Sequence, residues 1–334
     1  MGSPDQYVRQ LNGMGSGISS TSKVMVLGPS SRPELAPVEY TFIQVGITDG
    51  KLDMAGNCGN MSAAIGPVAW DWGLVTEATA KVERDENGDQ WATVRMLNTN
   101  TFKVLVSKFK LVGDTPSQYS PDGSYALDGV PGSGSKITMS FLDPAGAKTG
   151  KALPSGNAID ELQLSDGSTV SASLVDVSNP GVFVTAESLG LNDTEALTPG
   201  AVEADLELKA RLEDIRRAGA SMMGMDPDVE SVPKIVILFP APADSPSVDI
   251  RCQALSMGQA HKAVPLTLAL CLGAATHIPG TIAHTIAGGK AESTVTIGHP
   301  SGTLDVGTTM SNGKLVSAEL LRTARVLMKG DVYY

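Results

Sequence analysis

Aromatic residues are scarce in this chain, at 4% of its 334 positions. A folded core must therefore be filled by aliphatic and small side chains. Cysteine is nearly absent as well, with three residues. An odd, low count excludes a disulfide framework and fits a reducing compartment, so the cytoplasm is the expected location. Positive charge is in deficit: 25 Lys and Arg stand against 36 Asp and Glu, a net charge of −11. That leaves no electrostatic footprint for nucleic acid or an anionic membrane surface. It does not exclude a small anionic ligand held at a local positive site. No apolar signal core follows the start MGSPDQYVRQ. The one long charge-free stretch, 263–289, is interrupted by Pro265, His277, Pro279 and His284. Its dense part, Leu266 to Ala275, is about half of the roughly 20 residues that a membrane-spanning helix needs. A buried helix is expected there instead.

Several chemical signatures are missing too. His261, His277, His284 and His299 have no H-x-x-x-H or H-E-x-x-H spacing, and no C-x-x-C occurs. No metal site is expected. The lysine of GSGISSTSK has neither the full glycine spacing nor the following Ser or Thr of a phosphate loop. A G-x-S-x-G elbow and a dinucleotide fingerprint in strand context are also lacking. No cofactor is expected.

What is present is ordinary globular material: 42% hydrophobic and 18% charged residues, with 36 Gly and 20 Pro to make turns. The length allows two domains. Two uncharged small-residue helices are predicted, one through MSAAIGPVAW after Gly56-Asn57-Cys58-Gly59-Asn60, one through AVPLTLALCLGAA after Leu255-Ser256-Met257-Gly258. Both are apolar on nearly every face, which marks enclosed helices. Pro67 and Pro265 lie in or near their first turns. A strand pattern precedes each, 40–45 and 248–254, and another follows each, 92–99 and 293–300. From Cys58 to Thr93, and from Gln259 to Thr294, the spacing is 35 residues. A duplicated unit is read: strand, glycine turn, buried helix, wrapping strands. Between the copies, 137–141, 169–175 and 181–186 read as strands. An amphipathic helix begins after Thr198 with Pro199 at its first position. Pro233 opens the apolar strand 234–239.

Two residues carry candidate chemistry. Cys58 lies between two Gly-Asn pairs at a helix start, where backbone N–H groups favour a thiolate. The same context also suits a small, inert thiol at a tight turn. Lys23 ends a Ser-rich turn at the mouth of a strand. It is suited to bind a carboxylate or, when desolvated, to act as a base; a solvated surface lysine is the competing reading. The turns 176–181 and 298–302 place short polar side chains at strand ends, as ordinary turns also do.

The blocks MGSPD (1–5), GMGSGISSTSKV (13–24), GNCGNMSAAIGP (56–67), DGVPGSGSKI (128–137), DVSNPGVFV (176–184), SMGQAHKA (256–263) and GHPSGTLDV (298–306) run in order along the chain. Together they resemble the PrpF family, the methylaconitate cis–trans isomerases and their relatives on the diaminopimelate-epimerase fold. The resemblance implies an α+β fold of two pseudo-symmetric domains, each a β-sheet rolled around a central buried helix, with the active site between them. The expected limits are 1–170 and 171–322, with 323–334 packing back on the first domain. It implies a cofactor-independent proton shift on an unsaturated di- or tricarboxylic acid. Candidate acids are 2-methylaconitate of the 2-methylcitrate cycle, aconitate and 4-oxalomesaconate. Lys23 and Cys58 are the implied catalytic pair. Ser19, Ser22, Asn57, Gly59, Asn60, Asn179, Ser256, Met257, Gly258, Ser301 and Gly302 are implied for carboxylate binding, with His261 as a further donor or as a satisfied helix-terminus histidine. Epimerases of this fold use two opposed thiols, and the second position, near Met257–Gln259, has none. Family members carry a segment before MGSPD, with a first strand and a GGTSKG-type turn. Its absence here implies a shortened first domain, an unpaired sheet edge that favours a homodimer, and an alternative reading as a catalytically impaired tricarboxylate-binding or accessory protein.

Overall fold

The computed structural model describes residues 1–334 except 114–116, 192–196, 242–246, 290–292, 312–313 and 334. The first half contains β1 (Lys23–Pro29), β2 (Val38–Val45), β3 (Leu52–Asp53), α1 (Gly59–Ser62), α2 (Ile65–Asp71), β4 (Lys81–Arg84), β5 (Gln90–Asn98), β6 (Lys103–Val112), β7 (Gln118–Tyr119), β8 (Tyr125–Ala126), β9 (Ser133–Gly134) and β10 (Ile137–Leu142). Next come β11 (Asp160–Gln163), β12 (Thr169–Val177), β13 (Asn179–Thr185), α3 (Pro199–Ala204) and α4 (Leu206–Met222). The chain closes with β14 (Lys234–Pro240), β15 (Ile250–Ser256), β16 (Gln259–Ala260), α5 (Leu266–Thr276), α6 (Ile282–Ile286), β17 (Thr294–His299), β18 (Gly302–Ser311) and β19 (Lys314–Arg322).

The duplication read from the sequence is visible in the strand pairing. In the first unit β1 is antiparallel to β2, β2 is parallel to β5, β5 is antiparallel to β6, and β6 to β10. In the second, β14 is antiparallel to β15, β15 is parallel to β17, β17 is antiparallel to β18, and β18 to β19. The parallel step in each is the one that spans the buried helix, as a crossover requires. Pairing of β10 with β19 joins the two units into one continuous sheet. β13 extends the second unit by pairing parallel with β14, and β12 and β11 follow it.

Every residue of α5 is buried. Its sequence, LTLALCLGAAT, has no polar face to offer water, so strands must cover it on all sides. Leu266, Leu268, Leu270 and Leu272 share one apolar core with the Tyr40, Phe109, Met139 and Phe183 side chains. A second core, centred on Leu212 and Ile215 of α4, covers the other face of β12, β13 and β14. The C-terminal segment touches the first unit where the Tyr119 hydroxyl donates to the Ala324 carbonyl at 2.9 Å.

Two predicted helices are each broken in two. The first splits at Ala63–Ala64 into α1 and α2. Pro67 has no N–H for the Ala63 carbonyl four residues back, and its ring crowds that carbonyl. The amphipathic helix is capped by Thr198, whose side chain accepts from Ala201 N, but it ends at Ala204. Asp205, in an extended conformation, then accepts from Leu208 N and starts α4. Pro265 is the N-cap of α5, beside its first turn as expected.

The two buried helices meet at their first residues. A Cβ on Gly59 would overlap Leu266 Cδ2 and lie 2.8 Å from its Cγ. Gly59 thus sets how closely the units approach. Gly59→Ala should cost about 1–3 kcal/mol by overpacking this contact, read as a lower urea midpoint with an unchanged slope. A midpoint equal to wild type would refute the contact's role.

Candidate active site

Lys23 is the first residue of β1 and pairs across from Gln44 of β2. The turn that delivers it is tightly bonded. Ser22 Oγ donates to the Ile18 carbonyl at 3.0 Å and to Gln10 Oε1 at 2.8 Å. Gln44 Nε2 donates to the carbonyls of Ser19 and Ser22, both at 3.0 Å. The lysine is therefore held at the strand mouth and not left to solvent. Burial pushes its ammonium below the usual 10.5, while the Cys58 charge opposes that fall.

Cys58 is the N-cap of α1, with φ −109° and ψ 99°, and is half-buried. Its carbonyl accepts from Ser62 N at 3.0 Å and Ser62 Oγ at 2.9 Å. Asn57 turns its side chain inward: Nδ2 donates to the Tyr40 hydroxyl at 3.1 Å, and Oδ1 accepts from Ser62 Oγ at 3.2 Å. Its backbone is clipped across the cleft by Asn179. Asn57 N donates to Asn179 Oδ1 at 3.3 Å, and Asn179 Nδ2 donates to the Asn57 carbonyl at 2.9 Å and to Thr267 Oγ1 at 3.0 Å. One buried amide thereby ties the Cys58 turn to the start of α5.

Of the residues expected at the site, Lys23, Asn57, Cys58, Gly59, Asn60, Ser256 and His261 line one cavity. Asn179 supports it from behind, fully buried. Ser19 and Met257 line an adjoining cavity that shares Gln44 as its wall. Ser22 is buried in the turn beneath Lys23, and Gly258 occupies a left-handed turn position, φ +67°. Neither lines the Lys23 cavity. Ser301 and Gly302 line a third cavity with His299 and Lys262. The loop before β9 closes on them there, where Asp128 Oδ2 accepts from Thr303 N at 2.7 Å.

Sequence reasoning missed Gln44, Ser231, Lys234 and Thr267, all of which line the Lys23 cavity. Gln44 is signalled only as an amide inside an apolar strand. Arg322 was missed as well: its Nε donates to Asn60 Oδ1 at 3.0 Å, and burial lowers its pKa to about 10. His261 is held neutral, its pKa pushed down to about 4 by burial and by the charges of Lys23 and Lys234. Its Nε2 has no hydrogen-bond partner among the described residues. Cys252 and Cys271 are buried thiols outside this cavity; burial raises Cys252 to about 12 and Cys271 further. Among the described residues, no group of three or more His, Cys, Asp or Glu is placed to hold a metal ion, and no helix is long and apolar enough to cross a membrane.

The Asn179 clip makes a specific demand. Asn179→Ala leaves the buried Asn57 N–H without its acceptor and the Asn57 carbonyl with only the long 3.4 Å bond from Thr267 Oγ1, so we expect about 1–3 kcal/mol lower stability by urea unfolding. An unchanged unfolding midpoint would contradict the bridge.

Comparison with known proteins places this geometry in a family. The PrpF protein family matches residues 1–334. A 3-methylitaconate isomerase of Eubacterium barkeri is 38% identical over 99% of this chain and 87% of its own length. A 2-methyl-aconitate isomerase of Cupriavidus necator is 36% identical over 99% of this chain and 86% of its own. The crystal structure of a methylitaconate-delta-isomerase superposes with a TM-score of 0.75 at 36% identity, covering 98% of this chain and 85% of that one. A probable proline racemase from Agrobacterium radiobacter K84 shares the fold alone, with a TM-score of 0.51 at 14% identity over 95% of this chain and 76% of that one. The architecture is thus the α+β, diaminopimelate-epimerase-like fold, and the chain belongs to the PrpF family of isomerases.

Proposed function

We propose that this chain is a cofactor-independent isomerase that moves a proton along the allylic unit of an unsaturated di- or tricarboxylic acid. One observation carries the reading: Lys23 and Cys58 line a single cavity together with a second buried lysine, and none of these groups is ion-paired with a carboxylate among the described residues. In a protein of net charge −11, an unneutralised positive cleft suits an anion. The names of the two relatives, which act on 3-methylitaconate and 2-methyl-aconitate, support an acid of this class.

The chemistry needs a base at the allylic carbon and donors for the charge that develops. Lys23, desolvated and neutral, removes the proton. The charge spreads through the double bond into a carboxylate as a dienolate, and backbone N–H groups and side-chain donors stabilise its oxygens. The proton returns to the far carbon, or to the same carbon after bond rotation. Cys58 serves as the second acid or as a positioning group. Asn60, Ser256 and His261 stand where a carboxylate would lie. Two further expectations accompany this reading. Three free thiols support a cytoplasmic setting. The exposed Val26 on β1, which among the described residues pairs with β2 alone, supports association into a homodimer through that edge.

Proton NMR in deuterated water tests the activity with trans-aconitate, 2-methylaconitate and 4-oxalomesaconate. Isomerisation with deuterium incorporation is expected for at least one of them. No exchange with any would sink the proposal, and binding without exchange would favour a ligand-binding protein. Lys23→Ala should lower turnover about 10²–10⁴-fold, the usual worth of a positioned base. A base acts unprotonated, so kcat/KM should rise with pH through a limb that lies below 10.5. A rate flat with pH, or a near-normal Lys23→Ala enzyme, would remove Lys23 from that role.

A further inference from the structure

The two units repeat more closely than their helices alone reveal. β1 reads KVMVLGP and β14 reads KIVILFP, so Lys, Leu and Pro recur at the same three places. Each strand runs antiparallel to the strand that leads into a buried helix. Lys23 and Lys234 are therefore equivalent residues of the two units, each first in its strand. They line the same cavity.

Lys234 is only 9% exposed. Its Nζ donates to the Ser231 carbonyl at 2.6 Å. An ammonium has three protons to donate, and no ion pair with a carboxylate is formed by Lys234 among the described residues. The charged and titratable groups that face it are Lys23 at the start of β1, Cys58 before α1, Asp53 of β3, Arg216 of α4 and His261 after β16. Lys23 and Arg216 repel its charge, and Cys58 and the Asp53 carboxylate favour it. A buried cation so placed is incomplete without an anion in the cavity.

We propose that Lys234 is a substrate-binding residue, whose ammonium receives one carboxylate of the acid from which Lys23 takes a proton. This deepens the isomerase reading and rests on it for the identity of the acid. The duplication then supplies a lysine from each unit: one, as neutral amine, works as base, and its equivalent, as ammonium, is the anchor. Burial and the Lys23 charge together bring Lys234 down to about 8. In mildly alkaline solution much of Lys234 is therefore neutral in the free protein. A bound carboxylate favours the ammonium and draws a proton from solvent.

Calorimetric titration with tricarballylate tests this directly. That saturated tricarboxylate has no double bond to isomerise, so binding is read apart from turnover. Two buffers of different ionisation enthalpy, slightly above pH 8, count the protons taken up. Wild type should bind with proton uptake. Lys234→Met should bind about 10- to 100-fold more weakly, the loss of one charged hydrogen bond, and take up less proton. Lys234→Arg should recover affinity but not that uptake, because a guanidinium stays charged throughout. Wild-type affinity and uptake in Lys234→Met would overturn the proposal, as would no binding by wild type. Methionine removes a buried charge at similar volume, which folds favour. Should it nevertheless fail to fold, Lys234→Arg decides alone: undiminished uptake overturns the assignment. Failure of the isomerase reading looks different, namely the full Lys234 signature with tricarballylate and no deuterium exchange with any unsaturated acid.

Discussion

A helix with no polar face is the constraint from which the architecture follows. All eleven residues of α5 are buried, and its leucines and alanines leave no side for water. Such a helix must be enclosed, so the strands of the second unit wrap it and α6 packs beside it. The first unit does the same around the shorter α1 and α2 with the same order of pairings. An enclosed helix reaches other structure only at its ends. The starts of α1 and α5 come together, Gly59 against Leu266, and the cavity opens beside that contact. The site is thus where two wrapped helices surface, and glycine at 59 is what lets them meet.

The electrostatics of the cavity run against the molecule as a whole. The chain carries 36 acidic side chains, yet the half-buried Lys23 and the buried Lys234 line the cavity without a carboxylate ion pair among the described residues. Most acidic groups that pair do so at the surface, as Glu83 does with Lys108 and Lys81. Desolvation has opposite value for the two kinds of charge. At the surface it is small, and such pairs contribute little. In the cleft it lowers both lysines, Lys234 to about 8. His261, neutral for the same reason, adds a polar ring without adding charge.

Much of this was legible in the sequence because it depends on local composition. The charge-free runs predicted two enclosed helices; the Gly-Asn turn marks where α1 begins, whereas β16 and Pro265 stand between the Gly258 turn and α5. Lys23 and Cys58, picked out by their Ser-rich and Gly-Asn contexts, line one cavity. Less legible were features set by a single residue acting on its neighbours. The break at Ala63–Ala64 depends on Pro67 four residues later, and Asp205 was read as part of a helix that it actually divides. Contacts between distant segments were hidden altogether. Asn179 is a turn residue in the sequence, and only folding brings it against Asn57 and Thr267. Ser301 and Gly302 share turn chemistry with the expected binding residues but line a separate cavity. Lys234 was concealed differently. The strand 234–239 is legible by its apolar run, and nothing in that run marks the lysine at its head as a cavity residue. Setting KIVILFP beside KVMVLGP is the signal that finds it.

The duplication is unequal in its chemistry. Both units keep a lysine at the head of the first strand, but only the first keeps a thiol at the helix start. The corresponding position before α5 is Pro265, and Cys252 and Cys271 are locked away as neutral core thiols. Two opposed thiols would suit removal and return of a proton on opposite faces of one carbon. One thiol with two lysines suits a different task. A proton that moves between the two ends of an allylic unit needs a base within reach and a fixed anchor, so that the acid does not turn while its charge is delocalised. The same folded unit, present twice, thus carries a thiol at the helix start in its first copy and a proline in its second.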